Sequence, residues 1–328
     1  MKLGIIGSGQ IVRDFLPKLV KMDGMDVVAI MDIPAVREPL EALCKENGVA
    51  SAVTDFEDLC ALDIDTIYVA VPNFLHYMYC EKALNRGYNV IVEKPMTSNI
   101  EESEALKKIA EEKNLFLFEA ITTVYFEAYE KIRTWLPEIG TVKMVSCNYS
   151  QYSSRYDLFR EGQTLPAFDP AKSGGALMDL NLYNLHFVMG LFGEPKDAKY
   201  FPNIERGIDT SGQLVLTYDG FTANLIACKD CAAPFHFVIE GTDGYITIQY
   251  PPNLIGEVTL HRRKGEEEKF EDGMAWNRLI PEFTAFINTI NSNDHAFCMK
   301  QLEESIAVSR VQTKARREAG IVFAADKN

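Results

Sequence analysis

Up to residue 120 the chain alternates short apolar runs with helical patterns, and that alternation allows few folds. KLGIIG (2–7), VVAIMD (27–32), TIYVAV (66–71), NVIVEK (89–94) and LFLFEA (115–120) read as strands. Helical patterns fill 9–21, 34–47, the stretch ending at Arg86, and 99–113. Strands that are apolar throughout are buried on both faces, and helices between them make the sheet parallel. The pattern changes after a helical segment near 123–136. TVKMVSCNYSQYS is long and β-rich, and LVLTYDGFTANLIA and FVIEGTDGYITIQY each split into two strands around an Asp-Gly pair. Asp-Gly between strand runs signals a hairpin. The second strand of the latter pair (the two cover 236–250) is followed by the loop PPNLIG and a strand at 257–262. Helices at 276–291 and 298–318 and a short strand, GIVFA, close the chain.

The expected fold is therefore an α/β Rossmann dinucleotide-binding domain (1–122) followed by an α+β domain (123–328) with a large, mostly antiparallel sheet. The second domain is assigned to substrate binding and oligomerisation. The length of 328 residues suits two domains better than one.

The balance of 33 Lys and Arg against 47 Asp and Glu, a net charge of −14, repels phosphate backbones and anionic lipid. No nucleic acid or membrane partner is expected. No apolar run reaches the ~20 residues of a membrane span, and MKLGIIGSG lacks the layout of a secretion signal. Seven scattered cysteines suit reduced thiols in a cytoplasm. Cys228 and Cys231 form a C-x-x-C, but no second ligand pair follows at metal-site spacing and the pair ends a strand rather than starting a helix. No metal is expected there.

The strand KLGIIG runs into GSGQIV. Gly7 permits a tight turn, Gly9 lets a phosphate approach the backbone, and the helix N-terminus beyond favours a pyrophosphate. Gly7, Ser8, Gly9, Gln10 and Ile11 thus form a candidate cofactor loop, with Val12 where a third Gly or Ala is usual. Asp32 ends the next strand, where a carboxylate accepts from the adenosine ribose 2′-hydroxyl and repels a 2′-phosphate. Ile33 follows it, and Arg37 lies one turn into the next helix, within reach of a phosphate. NAD is favoured, with NADP possible.

Three further stretches resemble one family. Glu93-Lys94-Pro95 ends a strand; VAVPNFLH carries Val71, Pro72, Asn73 and His76; and SGGALMDLNLYNLH (173–186) carries a Gly-Gly pair, Asp179 and Tyr183. Together they resemble the glucose–fructose oxidoreductase, inositol dehydrogenase and MocA family, in the Tyr-containing branch that includes dihydrodiol dehydrogenase, over essentially the whole chain. Asn181 stands where the family commonly has Gly, and EAITTVYF lacks an Arg often seen there.

The resemblance implies a catalytic set of Lys94, Asp179 and Tyr183, and a nucleotide side of Val71, Pro72, Asn73, His76, Glu93, Lys94 and Pro95. In the family the Lys-Pro bond is often cis. Tyr183 would be the proton-transfer group, four residues after Asp179 and on one face of a helix. Lys94 would favour the phenolate and hold the substrate oxygen. Asp179 would orient Lys94 or Tyr183, and His186 is the competing proton-transfer candidate. Tyr152, Arg155, Tyr156 and Arg160 either line a hydroxyl-rich pocket or form a solvated loop.

The expected protein is an NAD(P)-dependent oxidoreductase that interconverts a secondary alcohol and a ketone on a sugar, polyol or cyclic diol. The alternative is a catalytically silent dinucleotide-binding sensor, which the presence of the whole catalytic set disfavours. An apolar sheet face with Val215, Leu225 and Ile239 pointing outward predicts a homodimer or higher even oligomer.

Overall fold

A computed structural model describes residues 1–274 and 277–327. The chain forms two compact units, Met1–Ala120 with Glu282–Glu303, and Ile121–Pro281 with Glu304–Asn328.

In the first unit the expected alternation is present. Its elements are β1 (Lys2–Ile6), α1 (Gln10–Leu19), β2 (Asp26–Met31), α2 (Arg37–Asn47), β3 (Ser51–Val53), α3 (Phe56–Cys60), β4 (Thr66–Val69), α4 (His76–Asn85), β5 (Asn89–Glu93), α5 (Ile100–Lys113) and β6 (Leu117–Ala120). The six strands are all parallel, in the order β3-β2-β1-β4-β5-β6. The order reverses between β1 and β4, and such a switch point opens a crevice at the strands' carboxyl ends. Residues 282–303 belong to this unit, although the sequence reading gave both closing helices to the second domain. The reason is aromatic packing: Phe283 lies 5.8 Å from Phe15 and 5.2 Å from Tyr68, and Phe286 lies 4.7 Å from Phe118.

The second unit contains α6 (Glu127–Trp135), β7 (Val142–Ser150), α7 (Tyr156–Arg160), α8 (Ala176–Asp179) and α9 (Asn181–Phe192). Strands β8 (Asp197–Glu205), β9 (Ile208–Thr217), β10 (Thr222–Cys228), β11 (His236–Gly241), β12 (Gly244–Ile248), β13 (Glu257–Arg262) and β14 (Glu268–Glu271) follow. The chain closes with α10 (Leu279–Ser292) and α11 (His295–Glu318), the latter reaching this unit from Glu304 onward. The sheet order is β14-β13-β12-β11-β7-β10-β9-β8. Every pairing is antiparallel except β7 with β10. Both Asp-Gly hairpins are present, as β9–β10 and β11–β12.

Three expectations need correction. Strands β3, β8 and β14 were not anticipated. GIVFA is not a strand: Ile321 and Phe323 are buried, but the chain there is irregular and ends in a 3-10 turn. Leu225 and Ile239 do not point outward. Both are fully buried in the core with Leu214, Phe237 and Val258, because their phase along β10 and β11 is the inward one. The helix expected from 276 is described only from Leu279, and position 276 itself lies outside the described residues.

Candidate active site

The dinucleotide half of the site is read from the first unit. Gly7 has φ +104°, and a Cβ there would lie 2.3 Å from the Ala70 carbonyl oxygen, so the β1 turn needs glycine. Its N–H donates to Met31 O at 2.8 Å. A Cβ on Gly9 would meet no protein atom within 4 Å, so the opening before α1 is space the protein leaves unfilled. Gln10 is exposed at the start of α1 and Ile11 half-buried, while Val12 is fully buried on the helix's inner face. That combination fits a pyrophosphate over the helix N-terminus.

Asp32 is tied to the same loop. Its Oδ2 accepts from Ser8 N–H at 2.7 Å and Ser8 Oγ at 2.6 Å, and its Oδ1 from Ile33 N–H at 2.7 Å. Ile33 is 56% exposed, so it screens nothing from solvent. Arg37 is exposed and paired with Glu41 at 2.9 Å, one turn along α2.

His76 is held between two backbone carbonyls. The ring is fully buried, with Nδ1 2.8 Å from Pro95 O and Nε2 2.8 Å from Val71 O. Burial pulls its pKa down, although both carbonyl contacts oppose that shift. The ring braces the turn after β4, which contains Val71, Pro72 and Asn73, against the turn after β5. The Lys94–Pro95 bond in the latter is cis. Glu93 accepts from the Tyr68 hydroxyl, and Glu119 accepts from Met96 N–H at 2.8 Å. Lys94 is thus presented by a turn braced from three sides.

The second unit holds the Asp–Tyr segment. Gly175 has φ +106°, and a Cβ there would fall 2.1 Å from Asp209 Oδ1. A Cβ on Gly174 would fall 2.5 Å from Pro166 O. The Gly-Gly pair is therefore a packing requirement. Asp209 lies beneath α8, accepting from Leu177 N–H and the Tyr200 hydroxyl, each at 2.7 Å.

The expectation that Asp179 and Tyr183 share one continuous helix is corrected: α8 ends at Asp179 and α9 begins at Asn181. The break at Leu180 is held by two amides. Asn181 Nδ2 donates to Leu225 O at 3.2 Å, and Asn184 Nδ2 to Ile226 O at 3.0 Å and Asn181 Oδ1 at 2.8 Å. These polar groups dock the helix onto β10. His186 is buried, and the Tyr129 hydroxyl donates to the Phe187 carbonyl beside it at 2.9 Å. Tyr183 is 5% exposed in an aromatic cluster, edge-on to Tyr149 at 5.9 Å.

One residue escaped the sequence reading. Lys229 Nζ donates to Asp179 Oδ2 at 2.7 Å and to Ala167 O at 3.1 Å, and lies 4.8 Å over the Phe168 ring. Its side chain is 3% exposed, against 34% for Asp179. A signal was available: Ala223, Leu225 and Ala227 are inward on β10, and Lys229 continues their phase. A lysine in core phase needs a counter-charge. Of the exposed loop, the Tyr152 hydroxyl bonds Asp157 at 2.6 Å and the Tyr156 hydroxyl bonds Glu205 at 2.7 Å, while Arg155 and Arg160 are exposed.

Asp209 carries a pH-dependent expectation. Burial pushes its carboxyl pKa up to about 6. A raised acid pKa means the folded chain holds the proton more tightly, so its contribution to stability is greatest below about pH 4 and is lost as pH rises through 6. A rise of that size corresponds to about 3 kcal/mol. Between pH 4 and 7, wild type should lose about that much denaturant stability relative to Asp209→Asn; parallel curves would show an ordinary carboxylate.

A six-stranded parallel sheet with a glycine cradle at its switch point, in a chain whose second unit carries a half-exposed Asp179 four residues before a buried Tyr183, defines a dinucleotide-dependent oxidoreductase. Residues 1–121 match the description "Oxidoreductase family, NAD-binding Rossmann fold", and residues 129–247 match the "GFO/IDH/MocA C-terminal domain". The chain is 33% identical over 337 residues to scyllo-inositol 2-dehydrogenase (NADP(+)) IolU of Bacillus subtilis, covering 100% of this chain and 99% of that one. It is 28% identical to trans-1,2-dihydrobenzene-1,2-diol dehydrogenase of Xenopus tropicalis, over 99% of this chain and 93% of the relative. A 3-ketoreductase from Actinomadura kijaniata, solved with NADP and TDP-benzene, shares the fold with a TM-score of 0.83 at 22% identity, over 97% of each chain. The chain belongs to the Gfo/Idh/MocA oxidoreductase family. It is an NAD(P)-dependent enzyme acting on CH–OH groups, and the silent-sensor alternative falls away. No helix among the described residues is long and apolar enough to cross a membrane.

Proposed function

We propose that this enzyme interconverts a secondary alcohol and a ketone on a sugar, an inositol-like polyol or a cyclic diol, with Tyr183 as the proton-transfer group. The observation that carries the reading is the Asp179–Lys229 ion pair, which fixes a carboxylate four residues before a buried tyrosine. The relatives' substrates, an inositol and a dihydrodiol, share the vicinal hydroxyl pattern that such polar groups recognise.

When bound, the nicotinamide supplies the hydride acceptor; the protein supplies position and proton transfer. Tyr183 removes the hydroxyl proton as hydride leaves the carbon. An ordinary tyrosine, pKa ~10, is a weak base at neutral pH, and an ammonium favours its phenolate. Lys94 is assigned that role and also holds the substrate oxygen. Asp179 binds a neighbouring substrate hydroxyl, and Lys229 holds its carboxylate in place. Gly7, Ser8, Gly9, Gln10, Ile11 and Asp32 hold the dinucleotide. Screening sugars, inositols and vicinal diols for growth of reduced-nicotinamide absorbance tests the substrate class; no turnover across all three groups would refute it.

NAD should bind more tightly than NADP. A carboxylate at Asp32 would repel a 2′-phosphate on the adenosine ribose, and Arg37 is engaged by Glu41. Like charges a few ångströms apart cost about 1–4 kcal/mol, so the preference should be at least about tenfold and should shrink in Asp32→Ser. Calorimetric titration of both nucleotides decides it, and equal affinities in the wild type would show that Arg37 overrides the carboxylate.

The enzyme is assigned to the cytoplasm, a reading supported by seven cysteines that are all free thiols. A homodimer or higher even oligomer is also proposed. With Leu225 and Ile239 turned inward, the opposite sheet face offers Met144, Val215, Ile226, Val238 and Tyr245, all partly or fully exposed. Sedimentation at micromolar concentration should give at least twice the 36.9 kDa chain mass; a monomer would exclude assembly through this face.

A further inference from the structure

The C-x-x-C motif is unused by the reaction, and the structure gives it a third member. Cys228 Sγ, Cys231 Sγ and a carboxylate oxygen of Asp230 lie within 4.8 Å of one another. The segment is held on both sides by backbone bonds. Gln151 N–H donates to Cys228 O at 2.9 Å, Ser153 N–H to Lys229 O at 2.9 Å, and Lys229 N–H to Thr210 O at 2.8 Å. The carboxylate is oriented as well. Asp230 Oδ2 accepts from Thr210 Oγ1 at 2.7 Å and Ser211 Oγ at 2.8 Å. Its Oδ1 is buried and makes no hydrogen bond among the described residues. A buried carboxylate oxygen left without a donor lacks the compensation its desolvation calls for. Lys229, between the two cysteines, spends its charge on Asp179 rather than on this group.

We propose that Cys228, Asp230 and Cys231 form a binding site for a thiophilic divalent cation such as Zn²⁺ or Cd²⁺, with a fourth, solvent-facing position open to water. Two sulfurs and one carboxylate oxygen suit such an ion and reject Mg²⁺ and Ca²⁺, which take oxygen ligands. Tetrahedral zinc with bonds of about 2.3 Å brings its sulfurs to about 3.8 Å, a contraction of about 1 Å or less from the separation here, within reach of side-chain rotation. Exposed Cys231 gives the ion its entry. The missing fourth protein ligand, which argues against a metal from sequence, is the open position of a three-ligand site.

The test uses the reduced, metal-free full chain. Cd²⁺ is titrated while thiolate-to-metal absorbance is followed, and Zn²⁺ against a chromophoric chelator. One equivalent should bind. Cys228→Ser and Cys231→Ser should each weaken it by about 100-fold or more, and Asp230→Asn by about tenfold, while Cys44→Ser leaves it unchanged. In wild type, where folding is not in question, Zn²⁺ should protect Cys231 from alkylation, read by peptide mass. Equal affinity in wild type and the Cys228→Ser/Cys231→Ser variant, absence of protection, or a 228–231 disulfide formed in air by a protein that takes no metal when reduced would each overturn the site.

Discussion

Tyr183→Phe should keep dinucleotide binding and lose turnover by about 10²–10⁴, the usual worth of a placed acid–base group. The ring is 5% exposed and packed against Tyr149 and Ile121, and phenylalanine keeps that packing, so folding should be spared. Lys94→Met should lose at least as much rate, if it has the role proposed for it of supplying a cation to the substrate oxygen and the phenolate. His186→Ala is the control. His186 is buried within α9, so its removal should cost stability and leave turnover per folded molecule near wild type. Loss of turnover in the His186 variant with retention in the Tyr183 variant would move the chemistry one turn along the helix. Steady-state rates paired with nucleotide titrations distinguish these outcomes.

Asp179→Asn should destabilise the second unit by about 3 kcal/mol. It would leave the Lys229 ammonium, whose side chain is 3% exposed, without its counter-charge, holding only Ala167 O and the Phe168 ring. The partial exposure of Asp179 puts the cost at the low end for a broken buried pair. Adding Lys229→Met removes the stranded charge, and thermal unfolding should return to within about 1 kcal/mol of wild type. Turnover should not return, since the carboxylate proposed to bind substrate is still missing. Recovery of both would reduce the pair to a structural contact; recovery of neither would mean that Lys229 serves the fold by its packing alone.

Which parts of this architecture could be read from the sequence follows from how local their causes are. Five of the six parallel strands show because each carries its own apolar run, and Gly7 because its turn is set by one φ angle; β3 is only three half-buried residues and does not show. Both Asp-Gly hairpins show for the same local reason. Strand β8 does not, because Phe201, Asn203, Ile204 and Glu205 are all exposed and Pro202 interrupts the run, so no clean alternation survives. GIVFA has strand composition but forms no strand; Ile321 and Phe323 are buried in an irregular segment. The split at Leu180 depends on amides reaching β10, some 40 residues later in sequence. The Asp179–Lys229 pair spans 50 residues in the same way. Spacing four residues apart suggests a continuous helix, and only the tertiary bonds show that it is broken.

The recruitment of residues 282–303 into the dinucleotide unit orders events during synthesis. A ribosome that has released residues 1–120 has delivered every strand of the parallel sheet, but not Phe283 or Phe286, which cover Phe15, Tyr68 and Phe118. The nascent sheet waits with an aromatic face open to solvent while the whole second unit's sheet emerges. Domains that fold in strict order from the N-terminus do not face that wait. Here the first unit to appear is completed only once residues 282–303 have been made.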